Sequence, residues 1–69
     1  MSIDELRSNL RHLIESCVSN QIVKAHLHSL VAGPDVPARG ILAELEASRS
    51  GAMSDVDAKI IRDIAFYFC

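Results

Sequence analysis

The chain has 69 residues, which is enough for one small domain and too few for most enzymes or multidomain receptors. Apolar residues make up 49% and charged residues 23% of it, a composition too apolar for intrinsic disorder. Nine acids against seven bases give a formal charge of −2, so no broad electropositive surface for nucleic acid is expected. Few glycines and prolines, and no alternation of β-branched residues, predict an all-α fold.

The sequence also bears on where in the cell the protein acts. No apolar run approaches the ~20 residues needed to cross a bilayer. The first five residues include two acids where a secretory signal has bases, and no apolar stretch follows them. Cys17 and Cys69 lie far apart without a CxxC pair, so neither a disulfide scaffold nor a structural zinc site is indicated. We expect a cytoplasmic protein that does not contact a membrane.

The first half of the chain has the apolar spacing of an amphipathic helix. Ser2 and Glu5 match the capping-box pattern, which predicts a helix that begins at about Ile3. Apolar residues then follow at intervals of three and four, which places them on one stripe. The stripe consists of Ile3, Leu6, Leu10, Leu13, Ile14, Cys17 and Val18, and its heptad continues at Asn20, Lys24, Leu27 and Val31.

Two arrangements are compatible with this pattern, because a second apolar group, Ile22, Val23 and Leu30, faces away from the stripe. In one, the helix breaks near Ser19-Asn20, residues that cap helices readily, and two shorter helices form. In the other, a single helix runs from residue 3 to about residue 32 and contacts a different partner on each side. The second is favoured, because no glycine or proline interrupts it and Gly33-Pro34 supplies a clear stop.

The continuous helix leads to a prediction of a homodimer. Thirty helical residues would span roughly 45 Å, longer than a globule of this size is wide, so a second chain is needed beside them. A domain this small also hides only about 60% of the surface of its unfolded chain. The predicted architecture is one long N-terminal helix plus two shorter helices, in an intertwined or side-by-side dimer. Its core seam comprises Leu6, Leu10, Leu13, Cys17, Leu27 and Val31.

Two shorter helices are predicted after a connector at residues 33–39, which contains Pro34 and Pro37. The first runs from about Pro37 to Ser48, and Ser50-Gly51 are the residues that stop it. Its buried side comprises Val36, Ile41, Leu42 and Leu45. Ser54 begins the second, whose first turn carries acids where the helix dipole favours them. The apolar face of that last helix comprises Val56, Ile60, Ile61, Ile64, Tyr67 and Phe68, of which the two aromatics are expected in the core.

Phe66 does not belong to that apolar face. It lies at helical spacing from Asp55, Lys59 and Arg62, on the side expected to be solvated. One interpretation is that the ring folds over a neighbouring side chain or into the dimer seam. The other is that an aromatic flanked by bases anchors a partner protein, as hot-spot residues do. Phe66, Arg62 and Lys59 are therefore the predicted partner-binding residues.

Catalytic and metal-binding patterns are missing from the sequence. His26 and His28 are two residues apart and point to opposite sides of a helix. His12 and Glu15 are spaced as an exposed helical pair, too few ligands for a tetrahedral metal site. Cys17 lies in the middle of the apolar stripe, where burial disfavours a thiolate. We expect no metal, no cofactor and no enzymatic activity.

A dimeric DNA-binding regulator is the main alternative, because residues 37–68 form two short helices joined by a glycine-containing turn. A recognition helix needs bases and amides near its N-terminus. Here those positions are held by Asp55 and Asp57, which repel phosphate. Only Lys59 and Arg62 could contact the backbone, so direct DNA reading is the less favoured function.

Residues 33–68 resemble the small all-helical regulators of the enterobacterial biofilm-development and acid-resistance family, which are two-component connector proteins. The resemblance rests on Gly33, Val36, Ile41, Leu42, Leu45, Ala58, Ile60, Ile61 and Arg62. It implies a helical homodimer that works by binding signalling or regulatory macromolecules.

The leading hypothesis is a non-enzymatic adaptor or antagonist that binds a bacterial signalling or transcription-regulator protein and changes its activity. A phage-encoded or host-encoded anti-activator fits the same features, and the sequence does not separate the two. An antitoxin-like or chaperone-like segment is a third possibility. In each case helix faces would pack against a groove or a displaced helix of the partner.

Overall fold

The computed structural model describes residues 1–48 and 53–68, which contain four helices and no strand. The helices are α1 (Ile3–Cys17), α2 (Gln21–Ala32), α3 (Ala38–Ser48) and α4 (Asp55–Phe68). The all-α prediction is confirmed. The predicted end of the third helix at Ser50-Gly51 lies outside the described residues, as does Cys69.

Helix α1 begins where the capping pattern predicts. The Glu5 backbone N–H donates to Ser2 Oγ at 3.2 Å, and the Ser2 hydroxyl lies 3.5 Å from the Glu5 carboxylate. Asp4 and Glu5 occupy the first turn, where negative charge is favourable next to the positive end of the helix dipole.

The prediction of one helix from residue 3 to residue 32 is wrong. The chain leaves the helix at Val18, whose backbone is extended, and re-enters it after Asn20. Asn20 Oδ1 accepts hydrogen bonds from the backbone N–H groups of Ile22 at 2.9 Å and Val23 at 3.2 Å. An asparagine cap begins a new helix without any glycine or proline, so their absence was not a valid argument for continuity.

The break folds α2 back onto α1 and lets one chain fill its own core. α1 is the central helix: it packs against α2, α3 and α4, and α3 also packs against α4. The residues buried in the core are Leu6, Leu10, Leu13, Ile14, Val18, Leu27, Val31, Ala38, Ile41, Leu42, Leu45 and Ile64. The longest dimension of the molecule is 28 Å, well below the roughly 45 Å of a continuous helix. Its radius of gyration, 10.9 Å, matches the about 11 Å of a compact monomer of this length.

Arg7 ties α1 to the connector after α2. Its Nη2 donates to the Gly33 carbonyl oxygen at 3.0 Å, while its buried Nε has no hydrogen-bond partner among the described residues. Because α2 has no basic residue in its last turn, Arg7 supplies a cation near the negative end of that helix dipole from a neighbouring helix.

Helix α4 is attached through a narrow face. Ser54 caps it as predicted, since its Oγ accepts from the Asp57 N–H at 3.2 Å. Ile64 is fully buried, and Ile60 and Ile61 pack against the core only in part. The predicted core positions of Tyr67 and Phe68 are wrong: both are exposed, and Val56 from the same predicted face is 68% exposed.

For Val56 and Tyr67 the reason is their direction around the helix axis. At about 100° per residue, Val56 and Tyr67 lie roughly a quarter-turn from the direction of Ile64, beyond the strip that α1 and α3 cover.

None of the helices in the described part of the chain has both the length and the apolar character required to span a membrane.

Candidate protein-binding surface on helix α4

The outward side of α4 carries Asp55, Lys59, Arg62 and Phe66, which we call the α4 stripe. All four side chains are exposed. Their spacing of three and four residues places them on one side of the helix, opposite Asp57 and Ile64. The predicted placement of Phe66 outside the apolar face is confirmed, and its ring is 81% exposed.

Phe66 is not folded onto the core, but it does contact the neighbouring ring. The centroids of Phe66 and Tyr67 are 5.1 Å apart and the ring planes meet at 88°, an edge-to-face geometry. Such a contact is favourable by about 0.5–1.5 kcal/mol when it is shielded from water. Here both rings are exposed, at the C-terminal end of the helix.

The cations of the α4 stripe are available to a partner. Lys59 and Arg62 make no side-chain hydrogen bond or ion pair within residues 1–48 and 53–68. The chain as a whole is acidic, with a net charge of −2, so these two bases do not belong to a generally basic protein. Their exposed side chains could pair with carboxylates or phosphates.

Asp55 and Asp57 occupy the first turn of α4 as predicted, but Asp57 is removed from the surface. Asp57 is buried, and its Oδ1 lies 2.8 Å from His12 Nε2 on α1. The ring nitrogen donates and the carboxylate accepts. The predicted exposed pair of His12 with Glu15 is therefore wrong, since His12 instead joins two helices.

Glu15 has other partners, at the α1–α2 contact. Its Oε2 lies 3.0 Å from Lys24 Nζ and 3.9 Å from His28 Nε2. The hydrogen bond from Lys24, together with its positive charge, lowers the pKa of the Glu15 carboxyl. His28 adds smaller contributions in the same direction, and desolvation opposes them. This cluster connects helices and lies away from α4.

Groups that could hold a metal ion are not found in the part of the chain that the structure describes, where no three His, Cys, Asp or Glu side chains converge. Cys17 is half-buried at the end of α1 and packs against the core. His26 is exposed, and His28 faces Glu15.

The residues predicted for a dimer seam lie inside one chain. Leu6, Leu10, Leu13, Leu27 and Val31 are buried in the single-chain core, and Cys17 lies at its edge. The seam that we expected a second chain to cover is covered by α2, α3 and α4. Homodimerisation stays a prediction, and it would have to use a different face.

Sequence reasoning missed two features of the surface. Ile22 is 82% exposed at the start of α2, although it belongs to an apolar group. The bond between His12 and Asp57 joins residues 45 positions apart, and no spacing rule within one helix can find it. The signal for Ile22 was present in the cap at Asn20, which fixes Ile22 in the first turn of a new helix.

No protein-family model matches this chain, and neither curated proteins nor solved structures gave a match. The resemblance of residues 33–68 to the biofilm-development and acid-resistance regulators therefore stays an expectation.

Proposed function

We propose that the protein is a small non-enzymatic regulator that binds another protein through the α4 stripe and changes that protein's activity. The observation that carries the proposal is the exposed Phe66 ring beside Lys59 and Arg62, which have no ion-pair partner among the described residues. The partner is a bacterial signalling protein or transcription regulator, so the protein acts in the cytoplasm as a connector or as an anti-activator.

The energetics of the fold support a binding role for Phe66. Ile64 on the opposite side of α4 already completes the core, and Phe66 adds no burial to it. Covering an exposed phenylalanine side chain yields about 1.5–3 kcal/mol, which the folded chain alone does not gain at this position. Aromatic residues and arginine are also the side chains most enriched at the energetic centres of protein interfaces.

The rival function is DNA binding by α3 and α4. Two observations favour it. The two helices pack against each other, and Asp57, which is bonded to His12 and buried, does not present its charge to a phosphate. Asp55 remains exposed at the start of α4, where a recognition helix would meet phosphates and base edges. Protein binding is favoured, because one carboxylate and an aromatic ring flank the only two exposed bases in the described part of α4.

The proposal is tested by affinity capture from the native host with quantitative mass spectrometry. Wild type and Phe66→Ala are compared with Ile22→Ala, a control in which an equally exposed apolar side chain is removed from α2. The same partner should be enriched by wild type and by Ile22→Ala. Phe66→Ala should bind the purified partner at least about tenfold more weakly, since central aromatic anchors contribute about 2 kcal/mol or more.

Circular dichroism should give the same helicity for all three proteins. A partner that is retained by Phe66→Ala and lost from Ile22→Ala would move the interface to α2 and contradict the assignment. Duplex DNA binding that weakens steeply with salt and disappears in Lys59→Gln/Arg62→Gln would favour the rival function.

Homodimerisation, the other part of the prediction, requires a surface outside the seam of α1 and α2. Sedimentation of the purified protein over a range of concentrations measures it directly. A mass of one chain would mean that the exposed apolar side chains serve partners of a different sequence.

A further inference from the structure

The charges of the α4 stripe restrict the chemistry of what can cover it. We propose that the partner presents an acidic amphipathic segment, whose apolar side chains cover Phe66 and whose carboxylates pair with Arg62 and Lys59. The proposal rests on the proposed function and adds the nature of the partner surface to it.

The spacing of the stripe defines the segment. Along a helix that rises 1.5 Å per residue, Arg62 lies roughly 6 Å and Lys59 roughly 10 Å before Phe66. A partner helix with an apolar residue next to Phe66 would need acids one and two turns away to reach the two cations. Bidentate pairing of Arg62 with a carboxylate fixes the orientation of the partner segment, and burial of Phe66 supplies most of the affinity.

The acids of α4 limit where the partner's carboxylates can lie. Asp57 is buried and bonded to His12, so its charge does not face a partner on the stripe. Asp55 is exposed three turns before Phe66 but only one turn before Lys59, so the carboxylate that pairs with Lys59 must lie on the Arg62 side of that residue. Asp63 is half-buried on the Tyr67 side of Phe66. The partner's carboxylates therefore belong between Lys59 and Arg62 along the helix, and a neutral donor fits next to Asp63.

A second copy of this chain is a poor occupant for the same surface. In a two-fold symmetric, antiparallel pair of stripes that overlap along their whole length, Asp55 lies opposite Phe66 and Lys59 lies opposite Arg62 of the second copy. A parallel pair in register places Lys59 against Lys59. Both arrangements bring cations together, which is unfavourable at a desolvated contact, whereas an acidic segment neutralises both.

The test is a selection of random displayed peptides on the intact protein, with removal of every peptide that still binds Phe66→Ala. Peptides that depend on Phe66 should be enriched in Asp and Glu beside Leu, Ile or aromatic residues. Synthesised individually, they should bind Phe66→Ala at least about tenfold more weakly, and their affinity should fall as salt rises.

A parallel selection on Lys59→Glu/Arg62→Glu should return basic peptides instead. The matched control is Arg39→Glu, which reverses an exposed cation on α3 and should leave the acidic preference unchanged. Circular dichroism establishes that each variant is folded before it is used.

The outcomes separate the two proposals. Peptides that depend on Phe66 but carry no excess of acids, or that keep the same charge on the reversed variant, would overturn the acidic partner and leave a protein-binding stripe. A selection with no peptide that depends on Phe66 would overturn both. Self-association lost in Phe66→Ala would assign the stripe to a second copy, and duplex DNA binding lost in Lys59→Glu/Arg62→Glu would assign the cations to phosphate. Either result would overturn the acidic segment.

Discussion

Helices α1 and α4 are both amphipathic and both begin at a serine cap, but they use their apolar residues differently. α1 packs against three helices and contributes four fully buried side chains: Leu6, Leu10, Leu13 and Ile14. α4 packs against two helices and contributes one fully buried apolar side chain, Ile64. Four large apolar residues of α4 remain exposed: Val56, Phe66, Tyr67 and Phe68. α1 thus serves folding, and α4 keeps an apolar surface that folding does not use.

The largest effect is expected when the central helix loses a core side chain. Leu10→Ala should lower the free energy of unfolding by about 2–5 kcal/mol, because it removes a completely buried side chain and leaves a cavity. Since a core of this size supplies only about 3–5 kcal/mol of stability, much of the variant should be unfolded at room temperature. Thermal and urea unfolding followed by circular dichroism measure the change.

Two variants make that comparison informative. Leu10→Met nearly conserves volume and should cost less than about 1.5 kcal/mol, so the site can be measured even if Leu10→Ala does not fold. Phe66→Ala should change stability by no more than about 0.5 kcal/mol, because its ring is exposed. A loss of 2 kcal/mol or more, by the same scale, in Phe66→Ala would place that ring in the core and remove the distinction between the two helices.

A smaller effect is expected at the polar attachment of α4. Asp57→Ala removes the acceptor for His12 and should lower stability by about 1.5–3 kcal/mol, the range for a hydrogen bond to a charged group, towards the lower end because the His12 side chain is 55% exposed. Asp57→Asn keeps the shape and one acceptor oxygen, so it should lose less. Hydrogen exchange should show that protection falls first in α4. Equal loss of protection in all four helices would mean that α4 does not open separately.

The capping signals of the first half can be read from the sequence, and the one at Asn20 separates α1 from α2. Ser2 with Glu5 located the start of α1 correctly. Ser19-Asn20 is compatible with a break, whereas the apolar heptad that continues to Val31 favours one helix. The heptad positions Leu27 and Val31 are indeed buried with the apolar residues of α1. They reach that core because α2 folds back onto α1. Periodicity identifies the buried face and cannot tell whether the same chain or another one covers it.

The break itself can be measured at the cap. Asn20→Ala removes the acceptor for two backbone N–H groups of α2 and should lower stability by about 1 kcal/mol. Ser19→Ala is the matched control, since Ser19 is exposed and its side chain makes no hydrogen bond within residues 1–48 and 53–68. If the two substitutions cost the same, the cap does not hold the start of α2. A dimer formed by Asn20→Ala alone would show that the cap also prevents the continuous helix.

The candidate site was predictable in part, because it depends on angles around a single helix. The positions of Phe66, Lys59 and Arg62 follow from residue number alone. The exposure of Tyr67 and Val56 does not, since it depends on how wide a strip of α4 its neighbours cover. The role of Asp57 depends on where α1 places His12, and that is a tertiary contact. Local rules therefore located the stripe but not the attachment of the helix that carries it.

The smallest effect is expected at the exposed pair between α1 and α2. Lys24, by its hydrogen bond and its charge, holds the pKa of Glu15 below its ordinary value in the folded protein. A carboxyl whose pKa is lower in the folded than in the unfolded state stabilises the fold above the unfolded-state pKa. That contribution is lost as pH falls through the folded-state pKa. It should be small and should weaken with salt, because Glu15 is exposed.

An NMR titration of the Glu15 side-chain carboxyl measures the shift directly. Lys24→Met should raise the pKa of Glu15 towards its ordinary value, whereas Lys59→Met, which removes a cation from the α4 stripe, should leave it unchanged. The same two variants separate the regions by function, because Lys59→Met should weaken partner binding and Lys24→Met should not. If Glu15 kept its lowered pKa without Lys24, the cause would lie with His28. If Lys24→Met weakened binding as much as Lys59→Met, the α1–α2 face would belong to the interface, and the division between a folding helix and a binding helix would fail.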